Sequence, residues 1–381
     1  MNEDKATRYH RLKRRASVAS LAWSAGFLVA LLLSGGSVVI RDLASLAVAR
    51  IAAPAWHSPP VVVLLYVTLL AVLHETVSLP IDFYRGFLLE RRYGLATEQP
   101  RHWLHDHAKL SLLGFVFGVL GAVFVYATLW LVPGWWWIVS AAAFSLVAIA
   151  LTTLAPVVLL PLFYHSTPLD REPLRARLVS LAARAGTPVV DAYEWRLSDR
   201  TRKANAALTG LGSTRRILVS DTLLAGYSDD EIEVILAHEL AHHVHRDIWK
   251  GIAYETILTV AGFFIASRLL VLAVPALGLT GAADVAGLPI LLLGAMLMSL
   301  VILPAANVLS RTYERRADRF ALDLVRNPAA FTAAMRRLAA QNLAEERPSR
   351  LARWLFYSHP PIEERIGMAE RWTAAGTPNR V

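Results

Sequence analysis

Two histidines four residues apart, His238 and His242, enclose a glutamate, Glu239, that directly follows the first of them. Ser228 and Glu231 have the spacing of a capping box, so a helix is expected to begin there and to carry both imidazoles on one face. Two such imidazoles can bind one zinc ion, and the neighbouring carboxylate can take a proton from a water molecule. The segment therefore predicts a hydrolytic zinc site, against the alternative of a helix with solvated histidines.

A catalytic zinc ion takes three protein ligands and keeps one position open, so a third ligand must come from elsewhere. Glu314 and Asp318 are four residues apart and would share one helix face. With Glu314 as a ligand, Asp318 could hydrogen-bond a metal-bound imidazole and fix its tautomer. Because Arg315, Arg316 and Arg319 surround the two acids, surface ion pairs explain the spacing equally well.

The elements that must position these residues lie largely in a membrane. Of the 381 residues, 55% are hydrophobic and 18% are charged, and the mean hydropathy is +0.43. This is far more apolar than a globular domain and excludes disordered, collagen-like and coiled-coil proteins. The chain has no cysteine, which excludes disulfide scaffolds, thiolate metal sites, cysteine nucleophiles and iron–sulfur clusters.

Six apolar stretches approach or exceed the length that a helix needs to cross a bilayer. They are the segments 17–40, 60–80, 108–132, 135–163, 251–277 and 286–310. The first follows a basic head, residues 5–15, and is longer than the core of a signal peptide, so we expect a retained anchor. The sequence thus predicts a mainly α, multi-pass membrane protein with about six spans.

The net charge of +9 is interpreted as membrane topology and not as nucleic-acid binding, because no nucleic-acid motif accompanies it. Lys and Arg collect in the N-terminal head and in 81–109, 164–250 and 311–381, and they are scarce in the links near 41–59, 133–134 and 278–285. The positive-inside rule therefore places the N-terminus, the zinc site and the C-terminus in the cytoplasm. A composition rich in Ala, Leu and Arg suits a bacterial inner membrane.

We expect two domains, a membrane domain over 1–164 with four spans and a metallopeptidase domain over 165–381 with two spans and a helical tail. A small cytoplasmic α+β unit lies between spans four and five. It has a helix at 171–186, stopped by Gly186 and Pro188, and strands at 189–196, 204–209 and 215–221. Asn327-Pro328 would open a helix in the tail.

Taken together, these motifs resemble the CAAX prenyl protease 1 family of integral-membrane zinc metallopeptidases and, more distantly, the HtpX-type membrane proteases. The resemblance covers nearly the whole chain after the first span. It rests on segments that follow in family order: Leu79–Phe87, Glu90–Gly94, Pro161–Phe163, Thr167–Leu169, Asn205-Ala206, Thr209-Gly210, Ile217–Leu224, His238–His242, Asn307–Asp318, Tyr357–Pro361 and Glu364–Ile366. HExxH with a distant glutamate and an aspartate four residues further on is the gluzincin arrangement.

The resemblance implies that His238, His242 and Glu314 bind one Zn²⁺ per chain. Glu239 would be the general base and later the proton shuttle, and Asp318 would support a liganding histidine. The implied substrates are peptides or proteins, with or without a lipid group, cleaved in C-terminal or membrane-proximal segments. No nucleic-acid partner is expected, and the bilayer is the other partner.

The resemblance also implies three residues around the substrate. His359 would stabilise the oxyanion, Arg365 would lie close to the site as a substrate-binding residue, and Asn205 on an edge strand would hydrogen-bond the substrate main chain. The implied fold is a ring of helices around an intramembrane chamber with the zinc site at its cytoplasmic end. Family members with a eukaryotic-type architecture have seven spans, and six are predicted here.

Other ionisable residues have less specific interpretations. His243 and His245 follow the zinc motif but are rotated off its face, which favours a polar or interfacial role. His74-Glu75 in span two could line the chamber or form a buried ion pair. The histidines at 102, 105 and 107 could suggest a second metal, although their spacing is weak evidence. A quality-control protease and a non-catalytic transporter or scaffold are the competing functions.

Overall fold

The computed structural model describes residues 4–51, 59–158, 165–210 and 212–376. Six helices in these ranges are long and apolar enough to cross a membrane, which confirms the predicted number of spans. The chain begins with α1 (Lys5–Leu33), α2 (Gly36–Ile51), α3 (Pro59–Phe83, prolonged by a π-helical turn at Tyr84–Leu88 and a last turn at Leu89–Arg92), α4 (Pro100–Leu131) and α5 (Trp136–Val158). The end of the predicted fourth span, 159–163, lies outside the described residues.

The structure divides the first predicted span, 17–40, between two helices. Helix α1 already begins at Lys5 in the basic head, and it stops before Gly35, whose left-handed backbone (φ +71°) cannot continue a helix. The chain restarts as α2, where the Ser37 hydroxyl donates a hydrogen bond of 2.6 Å to the carbonyl of Ala286. Helix α2 is therefore a separate short helix that packs against α3.

A small α+β unit follows α5. Its elements are β1 (Ser166–Pro168), α6 (Glu172–Arg184), β2 (Asp191–Trp195), β3 (Ala206–Thr209), β4 (Arg216–Ser220), α7 (Asp221–Gly226) and α8 (Asp229–Val244). The sheet order is β1-β2-β4-β3, with β2 and β4 parallel and both outer pairs antiparallel. The predicted helix and three strands are confirmed to within a few residues, whereas β1 is too short to show a pattern and was missed. Strand β3 is an edge of the sheet.

Helix α6 shows how the sequence positions this unit. Leu174, Leu178 and Leu181 recur at helical spacing and are fully buried against β2 and α8. The helix ends where Gly186 takes a left-handed conformation (φ +69°), as predicted from the Gly–Pro stop signal. This packing holds α8 against the small α+β unit.

The chain then turns sharply from α8 into α9 (Asp247–Ala276) and, after a 3-10 turn, into α10 (Leu288–Val325). Helix α10 is continuous across the predicted end of span six at 310, so the beginning of the predicted tail is the same helix. The tail adds α11 (Pro328–Gln341), α12 (Arg350–Phe356) and α13 (Ile362–Ala374). The Asn327 side chain caps α11 by accepting the Ala330 N–H, as the Asn–Pro pair predicts.

The six spanning helices form a closed ring in the order α1, α3, α4, α5, α9 and α10, with α10 in contact with α1. All six line a cavity of about 890 Å³. Most of its lining is apolar, and His74 and Glu255 are ionisable groups within it. The predicted ring with its intramembrane chamber is confirmed with six spans.

Candidate metal centre and active site

Helix α8 carries the two histidines of the HExxH segment. It begins at the predicted capping box, in which the Ser228 hydroxyl accepts the Glu231 N–H and the Glu231 carboxylate accepts the Ser228 N–H. The helix packs against α6, β3 and α10, which fixes its axis. His238 is buried and His242 is half-buried on its α10 side.

His238, His242 and Glu314 converge because α10, which carries Glu314, is packed against α8. The Nε2 atom of His238 lies 3.2 Å from Glu314 Oε2, and the Nε2 atom of His242 lies 3.6 Å from Glu314 Oε1. One ligand atom from each residue lies within 4.8 Å of the others, and no second group of three such residues comes this close in the part of the chain that the structure describes. The three predicted ligands can therefore share one ion.

The opposite nitrogen of each imidazole faces an aspartate. His238 Nδ1 donates to Asp318 Oδ1 (2.9 Å), and His242 Nδ1 donates to Asp247 Oδ2 (3.1 Å). These bonds hold a proton on each Nδ1, so Nε2, which faces Glu314, is the nitrogen of each ring that can bind a metal. Asp318 thus lies where the sequence predicted it.

Asp247 was missed by the sequence analysis. It begins α9 only five residues after His242, and Arg246, with a left-handed backbone (φ 56°), makes the turn that folds Asp247 back onto α8. The available signal was an acid directly before the long apolar run of span five. Spacing alone could not show the turn, because nothing in the sequence marks an arginine as left-handed.

Each aspartate is in turn bound by an arginine. Arg365 from α13 donates to both oxygens of Asp318, at 2.8 and 2.5 Å, and Arg316 from α10 donates to Asp247. Burial lowers the pKa of Arg365, but the carboxylates of Asp318, Glu314 and Glu239 raise it by more, so the guanidinium remains charged. Arg365 lies close to the site: it donates to Asp318, and its Nη2 atom is also 3.3 Å from His238 Nδ1.

The arrangement fits a divalent cation. Glu314 Oε2 is buried and accepts no hydrogen bond of normal geometry, although imidazole nitrogens of His238 and His359 lie 3.2 and 2.7 Å away. Burial lowers the pKa of His238, but the hydrogen bond with Asp318 and the adjacent Glu314 carboxylate outweigh this and raise the pKa to about 9. A buried anion surrounded by nitrogens that share no good hydrogen bond with it is the environment expected where a metal ion binds.

Glu239 and His359 are the two further predicted site residues. Glu239 follows His238 on α8, is half-buried and is an electrostatic neighbour of Arg365. His359 comes from the segment between α12 and α13, and 63% of its side chain is exposed. Its Nδ1 atom lies 2.7 Å from Glu314 Oε2, so the segment brings an imidazole to the open side of the site.

The edge strand β3 runs beside α8 and begins directly after Asn205, which is exposed. The Ser220 N–H donates to the Asn205 carbonyl at 3.0 Å, so the alternation of an antiparallel pair turns the main-chain groups of Ala206 and Leu208 outward. Burial and Arg215 lower the pKa of His243, and the nearby Leu208 carbonyl opposes this shift. His243 thus contacts the edge strand and takes the polar role predicted for it.

The other histidines that the sequence analysis singled out do not belong to the group of three ligands. His245 donates to the Ala241 carbonyl at the end of α8, and His102 and His105 are exposed. His107 pairs with Glu75 at 2.7 Å, whereas His74 lines the cavity and contacts Ser24 at 3.0 Å. The neighbours His74 and Glu75 therefore follow different alternatives, one in the chamber and one in an ion pair.

Comparisons with known proteins agree with this geometry. The sequence profile of Peptidase family M48 matches residues 168–373, and the profile described as CAAX prenyl protease N-terminal, five membrane helices, matches residues 2–165. Within 4–51 and 59–158 the structure has five helices, α1 to α5, of which four are candidate spans. Each profile therefore matches one half of the chain.

The metalloprotease YhfN of Bacillus subtilis is 31% identical over 80% of this chain and 72% of its own length. The CAAX prenyl protease 1 of Saccharomyces cerevisiae is 27% identical over 80% of this chain and 71% of its length. The crystal structure of Ste24p from S. mikatae superposes with a TM-score of 0.85 at 24% identity, over 96% of this chain and 88% of that one. On the family match and the ligand geometry, this chain belongs to peptidase family M48 and is an integral-membrane metalloprotease.

Proposed function

We propose that the protein is a zinc-dependent endopeptidase in which His238, His242 and Glu314 hold one Zn²⁺. The observation that carries this proposal is the pairing of both Nδ1 atoms with aspartates, which leaves two Nε2 lone pairs and a buried carboxylate facing one point. Nitrogen and oxygen donors in this number suit zinc with a position left open. When bound, the ion supplies Lewis acidity and makes water a better nucleophile near neutral pH.

The chain's own residues would move the protons. Glu239 accepts a proton from the attacking water and passes it to the nitrogen of the scissile peptide bond, which breaks to give a carboxylate and an amine. His359 reaches the open side of the site and would hydrogen-bond the oxygen that gains charge. Asp318 and Asp247 keep the imidazoles oriented, and Arg365 acts through Asp318 and not on the substrate.

We propose that the substrate main chain docks along β3 as an added strand. The outward groups of Ala206 and Leu208 lie on the edge next to α8, and the exposed Asn205 side chain stands at the start of this edge. The imidazole of His243 lies near the Leu208 carbonyl, so the docked strand would pair mainly at Ala206. Docking on this edge would carry the scissile bond towards Glu239.

The proposed substrates are C-terminal or membrane-proximal segments of proteins. Relatives bear the name CAAX prenyl protease 1, and the mostly apolar cavity of about 890 Å³ has room for an apolar part of a substrate. The distribution of Lys and Arg supports a bacterial inner membrane with the N-terminus, the metal site and the C-terminus in the cytoplasm. The division into domains at 164/165 stays a prediction.

The test is peptide cleavage by detergent-purified protein, wild type against Glu239→Gln, with metal analysis of both. Glu233→Gln is the matched control, because Glu233 lies on the same helix and pairs with Arg177. We expect Glu239→Gln to keep its zinc and lose turnover, and Glu233→Gln to keep both. Near wild-type cleavage by Glu239→Gln would contradict the assigned mechanism.

Each protein is given one peptide with and one without a C-terminal prenyl-cysteine. Chelator-sensitive cleavage that prefers the prenylated peptide supports a CAAX-type specificity. Equal cleavage of both peptides supports a broader membrane endopeptidase. Bound zinc without turnover of any peptide would support the non-catalytic alternative.

A further inference from the structure

The basic head of α1 contacts the tail of the protein. Arg14 Nη1 lies 2.5 Å from Glu345 Oε2 and 2.8 Å from the Tyr357 hydroxyl, and that hydroxyl donates to the same Glu345 oxygen. Glu345 is only 6% exposed, so its charge depends on these partners. We call Arg14, Glu345 and Tyr357 the head–tail contact. It joins the first membrane helix to the segment that carries His359.

The backbone of the same segment is held by a second arginine. Arg311, buried on α10 one turn before Glu314, donates to the carbonyls of Tyr357 (2.5 Å) and Arg353 (2.9 Å). Tyr357 is therefore fixed at its side chain by α1 and at its main chain by the helix of a metal ligand. Both ends of this residue are located relative to the metal site.

His359 follows Tyr357 by two residues, and its own surroundings hold it weakly because most of its side chain is exposed. After it, Pro360 and Pro361 restrict the backbone and lead into α13, whose Arg365 binds Asp318. His359 thus lies between two fixed points, Tyr357 before it and α13 after it. Its distance of 2.7 Å from Glu314 Oε2 depends on both.

We propose that the head–tail contact positions His359 for the reaction, so that Arg14, Glu345 and Tyr357 are positioning residues of the active site. This inference rests on the proposed function, in which His359 contacts the oxyanion. Although burial raises the pKa of Glu345, hydrogen bonds from Arg14 and Tyr357 lower it below its usual value, which keeps this acceptor ionised. A basic residue of the N-terminal head thereby has a catalytic consequence beyond topology.

The test is a double-mutant cycle between the head–tail contact and His359, measured as kcat, KM and zinc content. The single variants are Arg14→Met, Tyr357→Phe and His359→Ala, and each of the first two is also combined with the third. Arg15→Met is the matched control, because Arg15 is the exposed neighbour and its loss removes the same charge from the head. Arg14→Lys tests rescue by a conservative cation.

We expect His359→Ala to lower kcat about 100-fold, as for loss of one oxyanion donor. Arg14→Met and Tyr357→Phe should each lower kcat about tenfold through misplacement of His359, with KM and zinc content unchanged. In the His359→Ala background they should change kcat less than about twofold, because the residue they position is gone. Arg14→Lys should recover most of kcat, and Arg15→Met should match wild type.

Independent losses in the double variants would overturn the positioning role and leave only a structural one. A rise in KM or a loss of zinc in Tyr357→Phe would also overturn the positioning role, because this variant keeps the Arg14–Glu345 pair. If Arg14→Met does not fold, Tyr357→Phe still decides the question. Wild-type kcat in His359→Ala would overturn the proposed role of His359 itself. A drop of kcat in His359→Ala with wild-type kcat in both Tyr357→Phe and Arg14→Met would overturn only the head–tail contact.

Discussion

Histidine meets an acidic side chain in two regions of this protein, the metal centre and the α3–α4 interface, and different ring nitrogens are used. At the metal centre the aspartates Asp318 and Asp247 take the Nδ1 protons of the two histidines. At the α3–α4 interface His107 uses Nε2 to donate to Glu75 at 2.7 Å, and Ser111 donates to the same oxygen at 3.0 Å. Nε2 is therefore left to bind a metal at the metal centre, whereas Nε2 of His107 at the α3–α4 interface is already bonded to Glu75.

The two regions also differ in the partners that bind the acidic side chains. Arg365 and Arg316 bind Asp318 and Asp247, which keeps both aspartates ionised and able to orient an imidazole. Glu75 has a histidine and a hydroxyl as its partners and 43% of its side chain is exposed. A histidine paired with a carboxylate thus belongs to a preorganised ligand set at the metal centre. At the α3–α4 interface the same kind of pair is a polar contact between helices. Orientation by arginine-backed acids is what separates them.

The largest expected effect follows from removing a ligand. Glu314→Gln replaces the buried carboxylate by a neutral amide, so zinc affinity should fall by more than the ~10–100-fold that loss of a supporting acid costs, and cleavage should stop. Glu75→Gln is the same substitution in the other region and should leave zinc content and cleavage intact. Metal analysis after dialysis and a peptide assay measure both. Loss of zinc from Glu75→Gln would break the comparison between the regions.

The next effect compares the two supporting aspartates. Asp318→Asn and Asp247→Asn should each weaken zinc binding by about 10–100-fold, with Asp318→Asn the stronger change. Asp318 is fully buried and bound twice by Arg365, whereas Asp247 orients the half-exposed His242. Competition with a chelator gives the two dissociation constants. Equal constants, or the reverse order, would show that burial and Arg365 do not strengthen the support.

Much of this architecture could be predicted from the sequence because its signals are local. Apolar length gave the six spans, the capping box gave the start of α8, and helical spacing gave the shared faces of the HExxH pair and of Glu314 with Asp318. The convergence of α8 and α10, and the carboxylate of Asp247, depend on packing and on a left-handed turn at Arg246. Such long-range contacts produce no regular spacing of residues in the sequence, so they could not be predicted from it.

The same limit applies to the head of α1. As a class, its basic residues predict topology, since Lys and Arg of any order would serve that purpose. The contact of Arg14 with Glu345 and Tyr357 joins residues more than 300 positions apart and is visible only in the folded chain. The sequence therefore does not show that Arg14 makes a specific contact, whereas the other basic residues of the head are exchangeable as far as topology is concerned.

A smaller effect concerns protons at the metal centre. With a pKa of about 9 in the metal-free protein, His238 is protonated at neutral pH and must lose that proton to bind zinc. Apparent zinc affinity should therefore rise about tenfold per pH unit and level off near pH 9, with about one proton released per ion. Calorimetry in two buffers of different ionisation enthalpy measures the protons. A pH-independent affinity would mean that Asp318 and Glu314 do not hold a proton on His238.

The smallest effect is expected at the α3–α4 interface. Glu75→Gln keeps an oxygen that can accept from His107 and Ser111, and Glu75 does not belong to the cavity lining. Polar contacts between membrane helices average about 0.6 kcal/mol, so the unfolding free energy should fall by no more than about 1 kcal/mol. His107→Ala should cost more, because it also removes the ring stacked on Trp103 at 4.8 Å.

Thermal unfolding in detergent, measured beside peptide cleavage, separates the two regions: a pair that only joins helices lowers the midpoint and leaves kcat unchanged. A loss of kcat at normal zinc content and stability would instead make Glu75 part of the proton path, and the distinction drawn from the ring nitrogens would fail.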